Sequence, residues 1–418
     1  MSSCENSKFY TSSLEEQICG PQNNTIHHQI YHAAVIALSE PISFEVGPIR
    51  PPSEAKSLLI RVTRNCQWNR CTFCPVYKNK DFSVRTVEEV ISDIDLLSKH
   101  LSGIRDSFKS PYEMSAQQLW SLTQSVNPVE LPAFDYALKW FNDGMQSVFL
   151  QDSDSLVVGA ENLATVLKHL RSRFPWIERV TSYSRSSTIL KVGEDGLKMI
   201  KDAGLDRIHV GLESGSDAVL RLVKKGATKD MHVRAGVLTK RVGLELSEYV
   251  MPGLGGRELC AVHAEGTADA LNKINADFIR LRPLALTSRA PLYLQYEKGS
   301  FTKCNDVEMA RELLLFIEGL EGITSMVVSD HILNLFADLE GRLPDDKERM
   351  LTILSEFLDM SPEQQLLYRL GRRLGLFEGL SDMNDERRLD RTRQIAHDQG
   401  ITSQNIDFVV DRLMERFI

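Results

Sequence analysis

The stretch Leu58-Leu-Ile-Arg-Val-Thr-Arg-Asn-Cys66-Gln-Trp-Asn-Arg-Cys71-Thr-Phe-Cys74 runs an apolar, β-type segment straight into a loop carrying three cysteines spaced C-x4-C-x2-C. Three thiolates on one loop can bind three corners of a cubane iron–sulfur cluster and leave its fourth iron open, where a fully ligated cluster would only carry electrons. Zinc is the competing reading. A closed structural zinc site wants four ligands, commonly in paired knuckles. No fourth Cys or His stands near, and the first histidine downstream is His100. The chain has seven cysteines, an odd number, with three of them inside nine residues. A disulfide framework is usually even and spread out, so the cluster points to metal chemistry in a reducing compartment.

Outward from this loop, β-type runs recur at Leu58–Thr63, Ser147–Gln151, Arg179–Tyr183, Arg207–Gly211, Leu244–Val250 and Phe278–Arg282. The last five are spaced for strand–helix units, and a parallel strand pair needs such a crossover. Lys191–Ala203 is the clearest helix between them, with Gly204 placed to close it in a left-handed conformation. The longer gap between the first two strands holds an amphipathic helix on Val87, Val90, Ile91, Ile94 and Leu97, then a polar insertion over roughly 104–132. These patterns predict an α/β chain with a parallel sheet. After Cys304 no strand series continues. Helical patterns over 307–320, 347–358, 362–374 and 406–417 predict a C-terminal helical domain instead. The expected organisation is an N-terminal extension (1–54), a core barrel (55–304) and a helical domain (305–418).

Composition fits a folded, water-exposed chain: 42% of the 418 residues are hydrophobic and 25% charged. The net charge of −8 is uneven, since residues 305–418 carry 13 Lys and Arg against 23 Asp and Glu. The near-neutral remainder weighs against a polyphosphate or tRNA partner. The N-terminus lacks a basic segment followed by an apolar one, and no apolar run reaches spanning length, so no membrane association and a cytoplasmic location are expected. A helix over Ile26–Leu38 would set His28 and His32 on one face, which packing explains as well as metal binding does.

The cysteine loop, its place after a first strand, and Phe73 before the last cysteine resemble the radical S-adenosylmethionine (SAM) superfamily. That family's usual spacing is C-x3-C-x2-C, and this sequence has one residue more between the first two cysteines. The resemblance covers about residues 57–295. It implies a partial (β/α)6 TIM-like barrel with Cys66, Cys71 and Cys74 holding a [4Fe-4S] cluster beside SAM. In such proteins ligands gather at the C-terminal ends of the strands. The second strand ends in Gln151-Asp152-Ser153-Asp154, where the family often carries a Gly-Gly-Glu motif for the SAM amino group. Here Asp152 and Asp154 keep the acidity without the glycines, and an Asp-rich cap is the plainer reading. Ser182-Tyr183-Ser184-Arg185 ends the third strand, so Tyr183 and Arg185 would line the mouth or form a surface turn. Gly211-Leu-Glu213-Ser214-Gly215 ends the fourth and resembles the segment that contacts the SAM ribose, giving Glu213 and Ser214 as ligands. Tyr249-Val-Met251-Pro252-Gly253 resembles the family's turn near the adenine. Arg280 and Arg282, two apart on the sixth strand, would bind an anionic substrate if they face inward.

The resemblance implies an enzyme that cleaves SAM reductively to a 5′-deoxyadenosyl radical, which takes hydrogen from an unassigned substrate. A small molecule is favoured over tRNA or peptide, with an external electron donor such as flavodoxin or ferredoxin. The alternative is a non-catalytic zinc or iron–sulfur protein with a helical interaction domain. Cys260 and Cys304 stand isolated in sequence, so an auxiliary cluster is not expected.

Overall fold

Seven parallel strands and one antiparallel strand form the central sheet of this computed structural model, which describes residues 44–415. The expected helix at Ile26–Leu38, with His28 and His32, lies outside the described residues. The strands are β1 (Leu58–Arg61), β4 (Ser147–Gln151), β5 (Arg179–Ser184), β6 (Arg207–Glu213), β7 (Glu245–Val250), β8 (Phe278–Leu281), β9 (Met326–Val328) and β10 (Gly341–Arg342), hydrogen-bonded in that order. β2 (Thr63–Arg64) and β3 (Ser83–Val84) make a separate antiparallel pair that brackets the cysteine loop. The six expected strands are present and pair in parallel as a partial barrel.

One expectation is corrected. Strand formation continues past Cys304: β9 pairs in parallel with β8, and β10 folds back antiparallel onto β9. Met326-Val-Val, with two β-branched residues, satisfies the backbone edge that β8 would otherwise leave open.

The helices are α1 (Val87–Ser107), α2 (Ala116–Gln124), α3 (Leu131–Asn142), α4 (Ala160–Arg173), α5 (Ser186–Asp202), α6 (Asp217–Leu222), α7 (Lys229–Arg241), α8 (Cys260–Ile274), α9 (Pro291–Glu297), α10 (Asp306–Glu318), α11 (Lys347–Asp359), α12 (Pro362–Arg373), α13 (Glu386–Asp398) and α14 (Ile406–Met414). α1 starts at Thr86 with a reciprocal cap to Glu89, which satisfies two orphan backbone donors. The polar insertion is helical in part, as α2, which buries no residue.

Alternate strand residues divide between two faces. Leu58, Ile60, Val148, Leu150, Val180, Ile208, Val210, Leu246 and Ile279 join the helices in one large core. On the other face Phe149, Tyr183, His209 and Tyr249 meet ring to ring at 5.1–6.1 Å and fill the barrel interior. Below this aromatic layer Glu54, fully buried, takes hydrogen bonds from Ser57 (2.5 Å) and Arg179 (3.4 Å) and faces His209. The C-terminal helices are tied in by Asp306, a buried carboxylate between Arg369 (3.0 Å) and Arg373 (2.9 Å). These guanidiniums hold its pKa down against the opposing effect of burial.

Candidate active site

The cysteine loop is held from both flanks by the end of β4. Asp152 is buried and accepts from Arg61 Nη2 (2.9 Å) and Nε (3.2 Å), the Tyr77 hydroxyl (2.7 Å) and the Asn65 backbone N–H (3.3 Å). Asn65 immediately precedes Cys66, and Tyr77 follows Cys74 by three residues, so one carboxylate fixes both ends of the loop. Asp154, also buried, accepts from Gln67 (2.6 Å), Ser184 (2.9 Å) and Thr188 (2.5 Å). Burial pushes its pKa up while these hydroxyls oppose it. Neither aspartate lines the central cavity. Asp152 is engaged by the loop and its flanks, and Asp154 by Gln67 of the loop together with Ser184 and Thr188 of β5 and α5.

The loop docks on the far side of the barrel as well. Thr72 N–H donates to Val223 O (2.9 Å), and Leu292 N–H donates to Thr72 O (2.8 Å). Trp68 Nε1 donates to Lys224 O at 2.8 Å. The Trp68 ring fills the space above Gly226, where a Cβ would stand 2.2 Å from the indole and where φ is +69°. Only glycine accommodates both constraints.

Cys66, Cys71 and Cys74 line a cavity of about 450 Å3 at the C-terminal ends of the strands. That volume falls within the usual range for small-molecule sites. Of the other sequence-predicted residues, Phe73, Tyr183, Arg185 and Glu213 line the same cavity. Ser214 does not. It is buried behind Glu213, shares a hydrogen bond with His263 Nδ1 (2.8 Å) and accepts from Ser216 N–H (3.0 Å). Glu213 sits at φ +62°, an uncommon conformation for a residue with a side chain, and it falls at a register shift between β6 and β7. Arg282 reaches the cavity, whereas Arg280 is buried beside it, bonded to Ser247 (3.1 Å) and Asp330 (2.7 Å).

Sequence reasoning missed Lys225 as a site residue. It lies in the turn after α6, pairs with Glu213 Oε1 at 3.0 Å and stands 5.9 Å from the centre of the Phe73 ring. The Arg185 guanidinium lies over Trp68 and donates to Lys225 O at 2.8 Å. Burial raises the Cys71 thiol pKa, and Lys225 and Arg185 pull it back toward the thiolate. Burial likewise raises Cys74. His232, on α7, was also missed. It is buried against Ser186 Oγ (2.7 Å), and burial with the Lys225 and Arg185 charges lowers its pKa to about 3. His331 and Leu333 reach the cavity from the segment after β9, and burial beside Arg282 lowers His331 to about 4. His331 is where the sequence reading expected it, near the substrate side, whereas no spacing rule singles out Lys225 or His232, because only the closed fold brings them to one rim.

No protein-family profile matches the chain. In sequence it is similar to 4′-phospho-dehydrooxetanocin synthase of Priestia megaterium, 24% identical over 195 residues. That match covers 46% of this chain and 22% of the relative, so the chain spans about a fifth of the curated relative's length. Among solved structures it is similar to the Escherichia coli coproporphyrinogen III oxidase HemN, described as a radical SAM enzyme. The identity is 13%, with 63% of this chain and 52% of that one covered at a TM-score of 0.42. It is also similar to the radical SAM methyltransferase TsrM of Kitasatospora setae with cobalamin and a [4Fe-4S] cluster bound. There the identity is 14%, with 81% and 61% covered at a TM-score of 0.41. Both of these solved structures are described as radical SAM enzymes. No helix among the described residues is long and apolar enough to cross a membrane.

Proposed function

We propose that this chain is a radical SAM enzyme that binds a [4Fe-4S] cluster on Cys66, Cys71 and Cys74, binds SAM in the same cavity, and acts on a small-molecule substrate. The observation that carries this reading is the convergence of three thiols from one loop with the polar ends of β5, β6 and the β8 turn on one cavity. The donor set fits the cluster. Among the described residues, the His, Cys, Asp and Glu group whose ligand atoms all fall within 4.8 Å does not include these cysteines. A single tetrahedral zinc would hold its thiolates about 3.8 Å apart, from zinc–sulfur bonds of about 2.3 Å. When bound, the cluster supplies one electron to SAM, whose carbon–sulfur bond breaks to give methionine and a 5′-deoxyadenosyl radical.

The chain's own residues bind, orient and exclude water. Lys225 and Arg185 lower the cost of placing thiolates in a buried loop. Glu213, oriented by Lys225, is the acceptor for the ribose hydroxyls. Arg185 is the cation for the SAM carboxylate. Tyr183 and Phe73 supply the apolar wall, while Asp152 and Asp154 act through the loop they hold. Arg282 and His331, on the side contributed by β8 and the segment after β9, face the substrate. Its polar or anionic end would meet Arg282. An external one-electron donor of the flavodoxin or ferredoxin class completes the reaction.

Anaerobic reconstitution with iron and sulfide tests the proposal. About four irons per chain, a reduced-cluster EPR signal altered by SAM, and slow 5′-deoxyadenosine formation are expected. Replacing Cys66, Cys71 and Cys74 together by Ser should abolish all three. Failure to take up iron at these cysteines, with zinc bound there instead, would favour the non-catalytic reading.

A further inference from the structure

Cys260 and Cys304 are 44 positions apart in sequence, and the fold brings them together. Cys260 opens α8, Cys304 lies in the loop before α10, and Glu312 stands on α10. The two sulfurs and a carboxylate oxygen of Glu312 all lie within 4.8 Å of one another. Cys304 and Glu312 are buried, and Cys260 is part-exposed. One Glu312 oxygen accepts from Gly253 N–H at 2.7 Å, and Oε2 has no hydrogen-bond partner among the described residues. No Lys or Arg pairs with Glu312 there. The nearby Arg257 is engaged by Glu308 at 2.5 Å. His263 Nε2 stands 3.6 Å from Glu312 Oε1 but faces Met251 O at 3.0 Å, while its Nδ1 is held by Ser214. That histidine steadies the carboxylate and is not a free ligand.

We infer that Cys260, Cys304 and Glu312 form a second, separate metal site for a single thiophilic divalent cation of the zinc class. A buried carboxylate facing two thiols, with only the ring of His263 at 3.6 Å as a nearby basic group, is costly to ionise, and a cation removes that cost. The packing is right for one ion: zinc–sulfur bonds of about 2.3 Å and zinc–oxygen bonds of about 2.0–2.2 Å put ligand atoms roughly 3.4–3.8 Å apart in a tetrahedron. It is too tight for a cubane. The part-exposed Cys260 leaves the fourth position open to water. The ion would tie α8 to α10 and, through Gly253, to the turn after β7. Met251 of that turn lines the cysteine cavity, and Leu254 packs in a small core with Val219, Val223 and Leu284 against Phe73.

The test measures metal content and cobalt spectra of the full chain, kept reduced, in the Cys66/Cys71/Cys74→Ser background. That variant should still bind one zinc per chain. Cobalt in its place should give tetrahedral ligand-field bands and a thiolate charge-transfer band. Cys260→Ser and Cys304→Ser should each lose the bound equivalent. Glu312→Gln, which keeps the side-chain shape, should weaken binding at least tenfold. In the chain with all three loop cysteines intact, Cys260→Ser should lose zinc and keep iron uptake, which separates this site from the cluster. A folded background variant that binds neither zinc nor cobalt overturns the inference. So does binding that survives both cysteine substitutions, or a Cys260–Cys304 disulfide persisting under reductant in place of metal.

Discussion

Asp152 offers the sharpest discrimination between holding the cysteine loop and binding a ligand. Its side chain is fully buried, and that of Arg61 is 15% exposed. Substitution by Ala removes the acceptor from Arg61, from the Tyr77 hydroxyl and from Asn65 N–H at once. Breaking a buried pair by removing one partner costs about 3–5 kcal/mol. Glu45, 3.4 Å from Arg61, keeps part of the charge compensated, which favours the lower end. The stranded Tyr77 hydroxyl adds about 1–3 kcal/mol. We therefore expect Asp152→Ala to lose roughly 3–6 kcal/mol. Asp152→Asn keeps an acceptor for Tyr77 but sets an amide against Arg61, and should lose about 1.5–3 kcal/mol, the worth of charged hydrogen bonds. Urea denaturation of the metal-free chain measures both, and iron retained after reconstitution should fall in the same order. Tyr77→Phe should move in the same direction by about 1 kcal/mol. If Asp152→Asn keeps wild-type stability and iron content but binds SAM tenfold or more weakly, the carboxylate is a ligand and the loop-anchor reasoning is wrong.

Glu213→Gln and Lys225→Met should each weaken SAM binding to the reconstituted chain by about 1–3 kcal/mol, read by calorimetric titration, because each removes a charged hydrogen bond in the cavity. Gly226→Ala drives a Cβ into Trp68 at a left-handed backbone position, so it should destabilise the chain by at least about 1 kcal/mol and shed iron from the loop, read by iron analysis. Glu248 is buried on β7 with one oxygen unpartnered, and burial raises its pKa well above the usual carboxylate range. The folded state therefore keeps it protonated where the unfolded chain ionises, so its contribution is full below about pH 4.5 and is lost as pH rises toward the folded pKa. Glu248→Gln removes that loss, and the stability gap in favour of the variant should widen above pH 4.5 by up to about 1.4 kcal/mol per pH unit, followed by urea midpoints across pH. Truncation after Cys304 removes β9 and α10, whose Phe316 and Ile317 are part of the main core, and should leave an aggregating remainder, checked by light scattering.

The barrel was legible because parallel strands buried on both faces read as compact apolar runs. Ser147–Gln151 stands where the pattern put it, and Arg207–Gly211 is extended by two residues to Glu213. Gly204 takes the left-handed conformation that ends α5, at φ +110°. β9 was not legible, since three residues are too few to show a period among helical patterns. α13 was missed as well, because its charged sequence buries only Leu389, Thr392 and Ala396. Among the residues that line the cavity, local spacing gave the three cysteines, and strand ends gave Tyr183, Arg185 and Glu213. The chemistry of a carboxylate does not say which way it points, and neither Asp152 nor Asp154, expected at the cavity, is among its lining residues. Ser329-Asp330-His331 was expected near the substrate from its place after the barrel, and His331 does line the cavity. Lys225 and the Cys260–Cys304–Glu312 group depend on contacts between distant segments, which no local pattern encodes.

The late strand β9 has a consequence for the order in which the chain can be made. During synthesis from the N-terminus, β8 leaves the ribosome more than 40 residues before Met326–Val328. Throughout that interval its outer backbone edge has no partner, and Phe278, Ile279 and Arg280 present the register later taken by β9. His331, which lines the cysteine cavity, arrives later still. The nascent chain thus holds an incomplete cavity beside a sticky edge until the segment after β9 has emerged. Protection of that edge until β9 has emerged is the natural order for this fold.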